Sequence, residues 1–205
     1  MDLVHVNHAQ IKARAKRKFV PRTTDSAHDQ PLAKNLLNRV FAATSLNSKW
    51  AVDITYIPTD EGWLYLAGVM DLCSRKIIGW SMQEHMQTEL VSEALTMALM
   101  HRRPTSELLH HSDRGVQYAS EEYRHLLTRN GITASMSGKG DCWDNACCES
   151  FWGTLKTELV NHQRCATREE ARQSIFEYIE VFYNRKRLHS SLGYKSPEVF
   201  EAGLN

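Results

Sequence analysis

Three carboxylates lie where the surrounding sequence predicts ordered structure rather than open loop. Asp53 falls inside the alternating segment WAVDITYIP, Asp113 follows the apolar pair Leu108 and Leu109, and Glu149 belongs to the first turn or so of a helical pattern. A carboxylate at the mouth of a buried strand loses hydration, which is costly unless positive charge lies opposite. If the strands that carry the two aspartates are neighbours, their side chains meet, and the glutamate can face them across the sheet.

Convergent carboxylates of this kind predict a divalent metal site. Three such groups repel one another and stay ionised together only when a cation neutralises them. Oxygen ligands without histidine or thiolate favour Mg²⁺, with Mn²⁺ as its substitute, over zinc. Two such ions, about 3.5–4 Å apart, can activate an attacking oxygen and stabilise the leaving oxygen in phosphoryl transfer.

Taken singly, each carboxylate also has an ordinary structural explanation. Asp53 can accept a hydrogen bond from Thr55 or from a neighbouring strand, and Asp113 can be a turn residue before Arg114 and Gly115. Glu149 can complement the positive end of its helix dipole. Asp71 is a rival ligand that can equally end its own strand. Only the three carboxylates taken together favour a metal-binding catalytic site.

The cysteine pattern predicts a reducing compartment and no disulfide framework. There are five cysteines, an odd number, with no CxxC pair, and the N-terminus has no apolar signal segment. We therefore expect a cytoplasmic protein. A zinc site fits no recognised ligand spacing when it is built from the available donors His110, His111, Cys142 and Cys147.

Composition indicates one domain with a proper core, and the distribution of charge says more than its total. The chain has 205 residues with 42% apolar content, and its 25 Lys and Arg nearly balance 24 Asp and Glu. Residues 12–22, KARAKRKFVPR, carry six basic residues and no acid. This stretch is either a solvated tail or a phosphate-binding arm. The longest mostly apolar stretch, WLYLAGVMDL, is too short to span a bilayer.

Hydrophobic periodicity predicts an α/β domain that positions these carboxylates. The expected strands are 48–58, 63–74, 76–85, 108–112 and 132–137, and the expected helices are 88–103, 120–131, 145–160 and 167–182. The first three strands form an antiparallel meander. A strand–helix–strand crossover favours parallel neighbours, so the fourth strand can lie beside the first. The result is a mixed five-stranded sheet with helices on its faces.

Capping signals and apolar stripes fix several details of these helices. We expect caps at Thr88 and Ser120, a capping box between Thr167 and Glu170, and a short helix near residues 32–41. The third helix has a stripe formed by Cys148, Phe151, Trp152, Leu155 and Leu159, which leaves Cys147 outside the core. The last helix has a stripe formed by Ile175, Tyr178, Ile179 and Phe182.

Several motifs together resemble the catalytic region of bacterial insertion-sequence transposases, the group encoded by a second reading frame and related to retroviral integrases. The motifs are VDITYI, HSDRGVQY, DNACCESFWGTLKTEL and YNRKRLHSSLGYKSPEVF. The aspartates at 53 and 113 are separated by 59 residues, and Asp113 and Glu149 by 35. The resemblance runs from about residue 20 to about residue 202, nearly the whole chain.

This resemblance implies a ribonuclease-H-like fold and a DDE triad of Asp53, Asp113 and Glu149 that holds two Mg²⁺ ions. It implies cleavage of element ends and attack of the freed 3′-hydroxyl on target DNA. Lys156 matches a family position that contacts DNA near the active site. Tyr183, Asn184, Arg187 and His189 match family positions in the tail whose individual roles are open. The small or apolar residues usual before the glutamate are replaced here by Cys147 and Cys148.

Double-stranded DNA is the expected partner, held mainly through phosphate contacts that weaken with salt. Beyond Lys156, the candidate contacts are Lys139, Arg185, Lys186, Arg187, Lys16, Arg17 and Lys18. The basic cluster at 185–187 can instead cap the dipole of the last helix. Trp143 either stacks on an unpaired base or anchors its own loop. Two ends must be handled together, so we expect a homo-oligomer on DNA, in the bacterial cytoplasm at the nucleoid.

We expect three segments: a basic arm or linker at 1–45, an integrase-like catalytic core at 46–162, and a C-terminal helix with a basic tail at 163–205. The family usually has a longer N-terminal DNA-binding part, of which the arm resembles only the end. Two other functions stay open on these grounds. One is a truncated, non-catalytic fragment that binds DNA or inhibits full-length partners, and the other is a ribonuclease-H-type nuclease.

Overall fold

A mixed five-stranded sheet forms the centre of the computed structural model, which describes residues 23–104, 107–138 and 142–204. The strands are β1 (Lys49–Thr59), β2 (Gly62–Asp71), β3 (Ile77–Gln83), β4 (Leu108–Ser112) and β5 (Ile132–Met136). Their order across the sheet is β3-β2-β1-β4-β5. The first three strands are antiparallel, whereas β4 lies parallel to both β1 and β5. The predicted sheet is therefore confirmed.

Helices cover both faces of the sheet. They are α1 (Thr88–Arg102), α2 (Val116–Ala119), α3 (Glu121–Arg129), α4 (Ala146–Glu158), α5 (Arg168–Glu177) and α6 (Pro197–Ala202). Short 3₁₀ turns occupy Cys142–Asn145, Val160–His162 and Ser190–Leu192, and a π-helical turn occupies Tyr178–Tyr183. The structure thus has two helices, α2 and α6, that the sequence pattern did not predict.

Alternation along the strands builds two separate cores. Successive side chains of a strand point to opposite faces, so Trp50 and Ile54 pack against α1 and α3, while Ala51 and Ile57 pack against α4 and α5. Asp53 has the same parity as Ala51 and therefore faces α4. This parity decides which helix can share a site with the strand.

The expected short helix near residues 32–41 is wrong, because these residues run as an irregular segment beside β5. The backbone N–H groups of Leu36 and Leu37 donate to Ser135 Oγ at 2.9 and 3.1 Å. Asn38 and Arg39 take left-handed φ angles of 44° and 61°, which a helix cannot contain. Hydrogen bonds to the neighbouring strand replace those that a helix would have supplied.

Two of the predicted N-terminal signals are confirmed, and one is wrong. Ser120 accepts the N–H of Tyr123, and Thr167 accepts the N–H of Glu170 at 3.1 Å. The α1 cap is Gln87 rather than Thr88, and it makes no side-chain cap hydrogen bond. The missed helix α6 has a recognisable signal, since a serine cap followed by proline at the first helical position is favourable.

The π-helical turn changes which aromatic side chain enters the core. The N–H of Asn184 donates to the carbonyl of Ile179, five residues earlier, at 3.1 Å. This wider turn shifts the helical phase, so Tyr183 is only 3% exposed while Phe182 is 41% exposed. The prediction that Phe182 belongs to the buried stripe is therefore wrong, because it assumed a uniform repeat of about 3.6 residues per turn.

Within the part of the chain that the structure describes, none of the helices combines the length and apolar character needed to cross a bilayer.

Candidate active site

Asp53 lies in the middle of β1, where its carboxylate is held by two donors. Its Oδ1 accepts the backbone N–H of Ile54 at 2.8 Å, and its Oδ2 accepts the indole N–H of Trp152 at 3.0 Å. Trp152 projects from α4, so a strand and a helix meet at this carboxylate. The sequence pattern placed Trp152 in an apolar stripe and gave no sign of its polar contact.

Gly68 of β2 makes room for this indole ring. It lies directly opposite Asp53 in the antiparallel register. A Cβ at this position would lie 2.8 Å from Cη2 of Trp152, closer than carbon atoms tolerate. The glycine therefore lets the ring lie flat over β2 and reach the aspartate on the neighbouring strand. The segment LAGVMD offered no sequence signal for this close approach.

Asp113 follows directly after the last residue of β4, the strand that lies beside β1. Its Oδ1 accepts the N–H of Gly115 at 2.8 Å, and its Oδ2 accepts the hydroxyl of Thr24. A Cβ on Gly115 would lie 3.0 Å from Oδ1 of Asp113, so glycine permits the tight turn. No signal in the sequence marked Thr24 as a partner of Asp113. The parallel β1–β4 pairing brings Asp113 to the same end of the sheet as Asp53.

Glu149 lies in the first turn of α4, on the turn that precedes Trp152, and its side chain is exposed. Its negative charge raises the pKa of Asp53, but less than burial and Asp113 do. The two aspartates are therefore brought together, while the glutamate points into solvent beside them. Within the described residues, no group of three or more His, Cys, Asp or Glu side chains is arranged to hold a metal ion.

The electrostatics of the two aspartates favour a cation. Burial, followed by the negative charge of Asp113, raises the pKa of Asp53 to about 8. Burial also raises the pKa of Asp113, although hydrogen bonds from Thr24 and Gly115 oppose the shift. Each carboxylate oxygen accepts one of the hydrogen bonds above and keeps a lone pair for a ligand. These residues fit a divalent ion, because a nearby positive charge would restore the ionised form of both.

Tyr118 is buried close enough to the aspartates for their charges to act on it, and it was not predicted as part of the site. Its pKa is raised well above the ordinary tyrosine value by burial, then by the charges of Asp113 and Asp53. Its hydroxyl has no hydrogen-bond partner in the described structure. The motif HSDRGVQY contained this residue, but nothing in its spacing showed that its hydroxyl would feel both carboxylates.

The rival ligands have structural roles. Asp71 is fully buried and accepts the N–H groups of Asn47 and Cys73 at 2.7 and 2.8 Å, which closes the turn after β2. His110 bonds with the hydroxyl of Tyr123, and His111 with that of Ser135, both at 2.8 Å. Burial lowers the pKa of His110 to about 3 and that of His111 to about 4, so both stay neutral.

Lys156 lies on α4 near Asp53, in agreement with the family position that it matches. Its ammonium group is 4.4 Å from the ring centroid of Tyr56. Burial lowers the pKa of Lys156, and the charge of Asp53 opposes that shift. Among the predicted DNA-contacting residues that the structure describes, Lys156 is therefore the one whose charge interacts with that of Asp53.

The other predicted DNA contacts differ in their surroundings. Arg187 is paired with Glu158 at 2.8 Å, Arg185 with Glu198 at 3.4 Å, and Lys186 is exposed. Lys139, Lys16, Arg17 and Lys18 lie outside the described residues, as does the side chain of Trp143. The Arg187 pair fastens the tail to the end of α4, a structural role that the basic cluster alone did not reveal.

Comparison with known proteins identifies the family of the chain. Two family models, both described as integrase core domain, match residues 43–142 and 130–197. An uncharacterised 31 kDa protein of insertion element IS600 from Shigella sonnei is 51% identical over 93% of this chain and 70% of that protein. The transposase InsF for insertion sequence IS3A from Escherichia coli is 49% identical over 93% of this chain and 66% of that protein.

Solved structures agree on the fold. The catalytic core domain of HTLV-2 integrase in complex with magnesium has a TM-score of 0.59 at 15% identity, and the match covers 78% of this chain and 99% of that one. The fold and the sequence matches define a polynucleotidyl-transferase-type enzyme with a ribonuclease-H-like core. The chain belongs to the bacterial insertion-sequence transposases of the DDE and integrase superfamily. It spans about two thirds of the length of the curated relatives it matches.

Proposed function

We propose that Asp53, Asp113 and Glu149 are the catalytic carboxylates of this transposase domain. The reaction is cleavage of DNA at the ends of an insertion element, followed by transfer of the freed 3′-hydroxyl into target DNA. The observation that carries the proposal is the pair of aspartates at adjacent parallel strands, where burial and then the charge of Asp113 raise the pKa of Asp53 to about 8. Nothing in ordinary packing requires two such acids to face each other.

Two Mg²⁺ ions, with Mn²⁺ as a substitute, are the proposed cofactors. When bound, they would supply Lewis-acid activation of the attacking oxygen and stabilisation of the leaving oxygen. Asp53 and Asp113 would hold them through the lone pairs left by their present hydrogen bonds. The HTLV-2 integrase core, which shares this fold, was solved in complex with magnesium, and that supports this choice.

The chain's own residues would fix the geometry of the reaction. Trp152 and the N–H of Ile54 hold the Asp53 carboxylate in one orientation, and the N–H of Gly115 does the same for Asp113. Glu149, exposed beside the aspartates, would complete the carboxylate set by rotating about its own side-chain bonds. Such a rotation is cheap because rotamers of exposed residues interconvert on the picosecond to nanosecond scale.

Lys156 is proposed to contact a DNA phosphate next to the reacting bond. Its ammonium group lies on the same side of α4 as Glu149, near Asp53, and the ring of Tyr56 supports it. Arg185, Lys186, Lys139 and the arm residues Lys16, Arg17 and Lys18 would add sequence-independent phosphate contacts. Arg187 would either keep its ion pair with Glu158 while it contacts a phosphate or exchange that pair for the phosphate.

The proposed division of labour follows the predicted segments. Residues 46–162 would form the catalytic core, 1–45 a DNA-contacting arm, and 163–205 a helix and tail that support α4. The substrate would be double-stranded DNA from both element ends and the target, so we propose an oligomer on DNA at the bacterial nucleoid. The dimeric and trimeric forms of the HTLV-2 integrase core are consistent with such assembly.

The test is a joining assay with a precut duplex from the element's end, a plasmid target and Mg²⁺. Joined products should appear with the unaltered chain and fall by at least about 100-fold in Asp53→Asn, Asp113→Asn or Glu149→Gln. The matched controls are Asp60→Asn and Glu122→Gln, exposed acids away from the site, which should join normally. Equal joining by Asp113→Asn and the controls would refute the triad.

The two alternative functions have distinct outcomes in the same assay. Hydrolysis of an RNA–DNA hybrid without joining would identify a nuclease. Binding of DNA with no reaction in Mg²⁺ or Mn²⁺ would identify a non-catalytic fragment. The family match favours transposase chemistry over both.

A further inference from the structure

A polar cleft lies between α4, the helix that carries Glu149, and the C-terminal tail. Its volume is about 570 Å³. Its lining includes Arg75 from the β2–β3 turn, Ser150 and Thr154 from α4, and Ser190 and Tyr194 from the tail. Arg187, which is paired with Glu158, and the rings of Phe151 and Tyr183 also line it. Hydroxyl groups, two guanidinium groups and aromatic rings thus share a single concave surface.

Arg75 supplies this cleft with a cation that no carboxylate neutralises among the described residues. Its only side-chain partner there is the thiol of Cys147, with Nη1 to Sγ at 2.5 Å. Five guanidinium N–H donors need acceptors, and a neutral sulfur is a weak one. The backbone of Arg75 is fixed in the left-handed region at φ 61°, and its carbonyl accepts the hydroxyl of Tyr183 at 3.2 Å. The guanidinium is therefore held half-buried and available to an anion.

Tyr194 presents an aromatic ring to the same cleft. The ring is 73% exposed, although a tyrosine with this much apolar surface is usually covered. Its backbone lies at φ 58°, and its N–H donates to the carbonyl of His189 at 2.9 Å. His189 and Lys195 close the loop as an isolated β-bridge. Residues with an unfavourable backbone conformation, such as this positive φ, often lie at functional sites.

The cleft and Glu149 share α4 but lie on different sides of this helix. Successive helical residues are about 100° apart, so Ser150, in the cleft, follows Glu149 by that angle. Between them on the next turn is Gly153, where an added Cβ would meet nothing within 4 Å. A DNA strand that crosses α4 between Glu149 and Ser150 therefore meets no side chain at Gly153.

We propose that this cleft binds an unpaired nucleotide of a DNA strand that crosses α4 from the proposed active site. Arg75 binds its phosphate, the serine and threonine hydroxyls contact the backbone, and Tyr194 stacks on its base. A guanidinium matches a phosphate by paired hydrogen bonds, and a base can stack on an exposed tyrosine whatever its sequence. That the bound polymer is DNA rests on the proposed function.

Binding of two labelled DNAs tests this assignment. One is a blunt duplex, and the other is the same duplex with a short single-stranded oligothymidine extension; affinity is measured by fluorescence anisotropy. Tyr194→Ala should weaken binding of the extended duplex by about 5- to 100-fold, which is the range for loss of one stacked base. Binding of the blunt duplex should change much less, and Tyr194→Phe should retain the affinity. This side chain is exposed, so folding should not change.

Arg75→Gln is the second variant, and it should lower the slope of log affinity against log salt for the extended duplex by about 0.7, one phosphate's share on single strands. Arg129→Gln is the matched control, since it removes the same charge from an exposed arginine on α3, on the opposite face of the sheet. It should leave both duplexes unaffected. Thermal midpoints of all variants exclude unfolding as the cause.

Equal losses on the blunt and extended duplexes, or no loss on either, would overturn the cleft assignment. The extended duplex can also be displaced with competitors. If an acidic polypeptide displaces it at the same concentration as oligothymidine does, the cleft does not recognise a nucleotide. The proposed function fails separately: if Asp113→Asn still joins DNA, the triad is wrong, although the Tyr194 effect on binding stands. If Asp113→Asn abolishes joining and Tyr194→Ala binds normally, only the cleft is wrong.

Discussion

Replacing Gly68 by alanine should destabilise the protein and weaken its catalysis through one contact. The added Cβ would lie 2.8 Å from Cη2 and 3.2 Å from Cζ2 of Trp152. The indole is only 6% exposed and packs against Phe151 at a centroid distance of 4.7 Å, so it has little freedom to retreat. Any shift of the ring also lengthens its hydrogen bond to Asp53.

The expected cost follows from overpacking in a close-packed core. Such insertions typically cost about 1–3 kcal/mol, and alanine regains roughly 0.5 kcal/mol relative to glycine in regular structure. We expect Gly68→Ala to lower the free energy of unfolding by about 1–2 kcal/mol. For a chain of this size, that corresponds to a fall in Tm of roughly 2–8 °C.

A double-mutant cycle with Trp152→Phe isolates the contact. Phenylalanine lacks the indole atoms that the new methyl group would meet, so Gly68→Ala should cost about 0.5 kcal/mol or less in that background. The measurement is urea unfolding of the four proteins, which gives the coupling energy directly. Joining activity should fall in both single variants because each weakens the bond from the indole to Asp53.

An equal cost of Gly68→Ala in both backgrounds would refute this reasoning. The strain would then come from the strand itself and not from the ring over it. Trp152→Phe could also retain full joining activity while Gly68→Ala retains normal stability. Those two results together would show that Trp152 does not orient Asp53.

Three further predictions concern the aspartate pair, the tail and the π-helical turn. Without divalent ions, Asp53→Asn should be more stable than the unaltered chain at pH 8, with an upper limit of roughly 5 kcal/mol, because a carboxyl whose pKa is raised to about 8 destabilises the folded protein increasingly as pH rises from near 4 to 8. Mn²⁺ should raise the Tm of the unaltered chain more than that of the variant, and equal shifts would contradict the metal site. Glu201→Gln should cost about 2 kcal/mol at pH 7, since Glu201 pairs with the half-buried Arg102 at 2.5 Å. Its pKa is lowered by hydrogen bonding to Arg102, so the difference should vanish as pH falls below roughly 4, and a difference independent of pH would argue against the ion pair. In denaturant unfolding, Tyr183→Ala should lower the free energy of unfolding by about 3–5 kcal/mol and Phe182→Ala by under about 1 kcal/mol. The reverse order would indicate a regular α-helix at these positions.

Much of the fold could be predicted because its signals are local or periodic. Alternation in WAVDITYIP identified β1, and the crossover rule placed β4 beside it. The capping box at Thr167 and the cap at Ser120 depend on neighbours in sequence, so they could be recognised without the tertiary structure. The failures have local causes of their own. The segment at 32–41 bonds to β5, and the π-helical turn shifts the phase of a regular stripe.

The candidate site divides in the same way. The candidate carboxylates, their spacing and their place at two strands and a helix could be predicted from residue type and periodicity, which are properties of the chain alone. The groups that surround them depend on the folded arrangement: Trp152 and Thr24 as donors, Gly68 as the space for an indole, and Tyr118 close to the pair. These partners lie 5 to 99 positions away from the aspartates they serve. Contacts over such separations depend on how strands pair and helices pack, and no pattern within a short window of sequence records that.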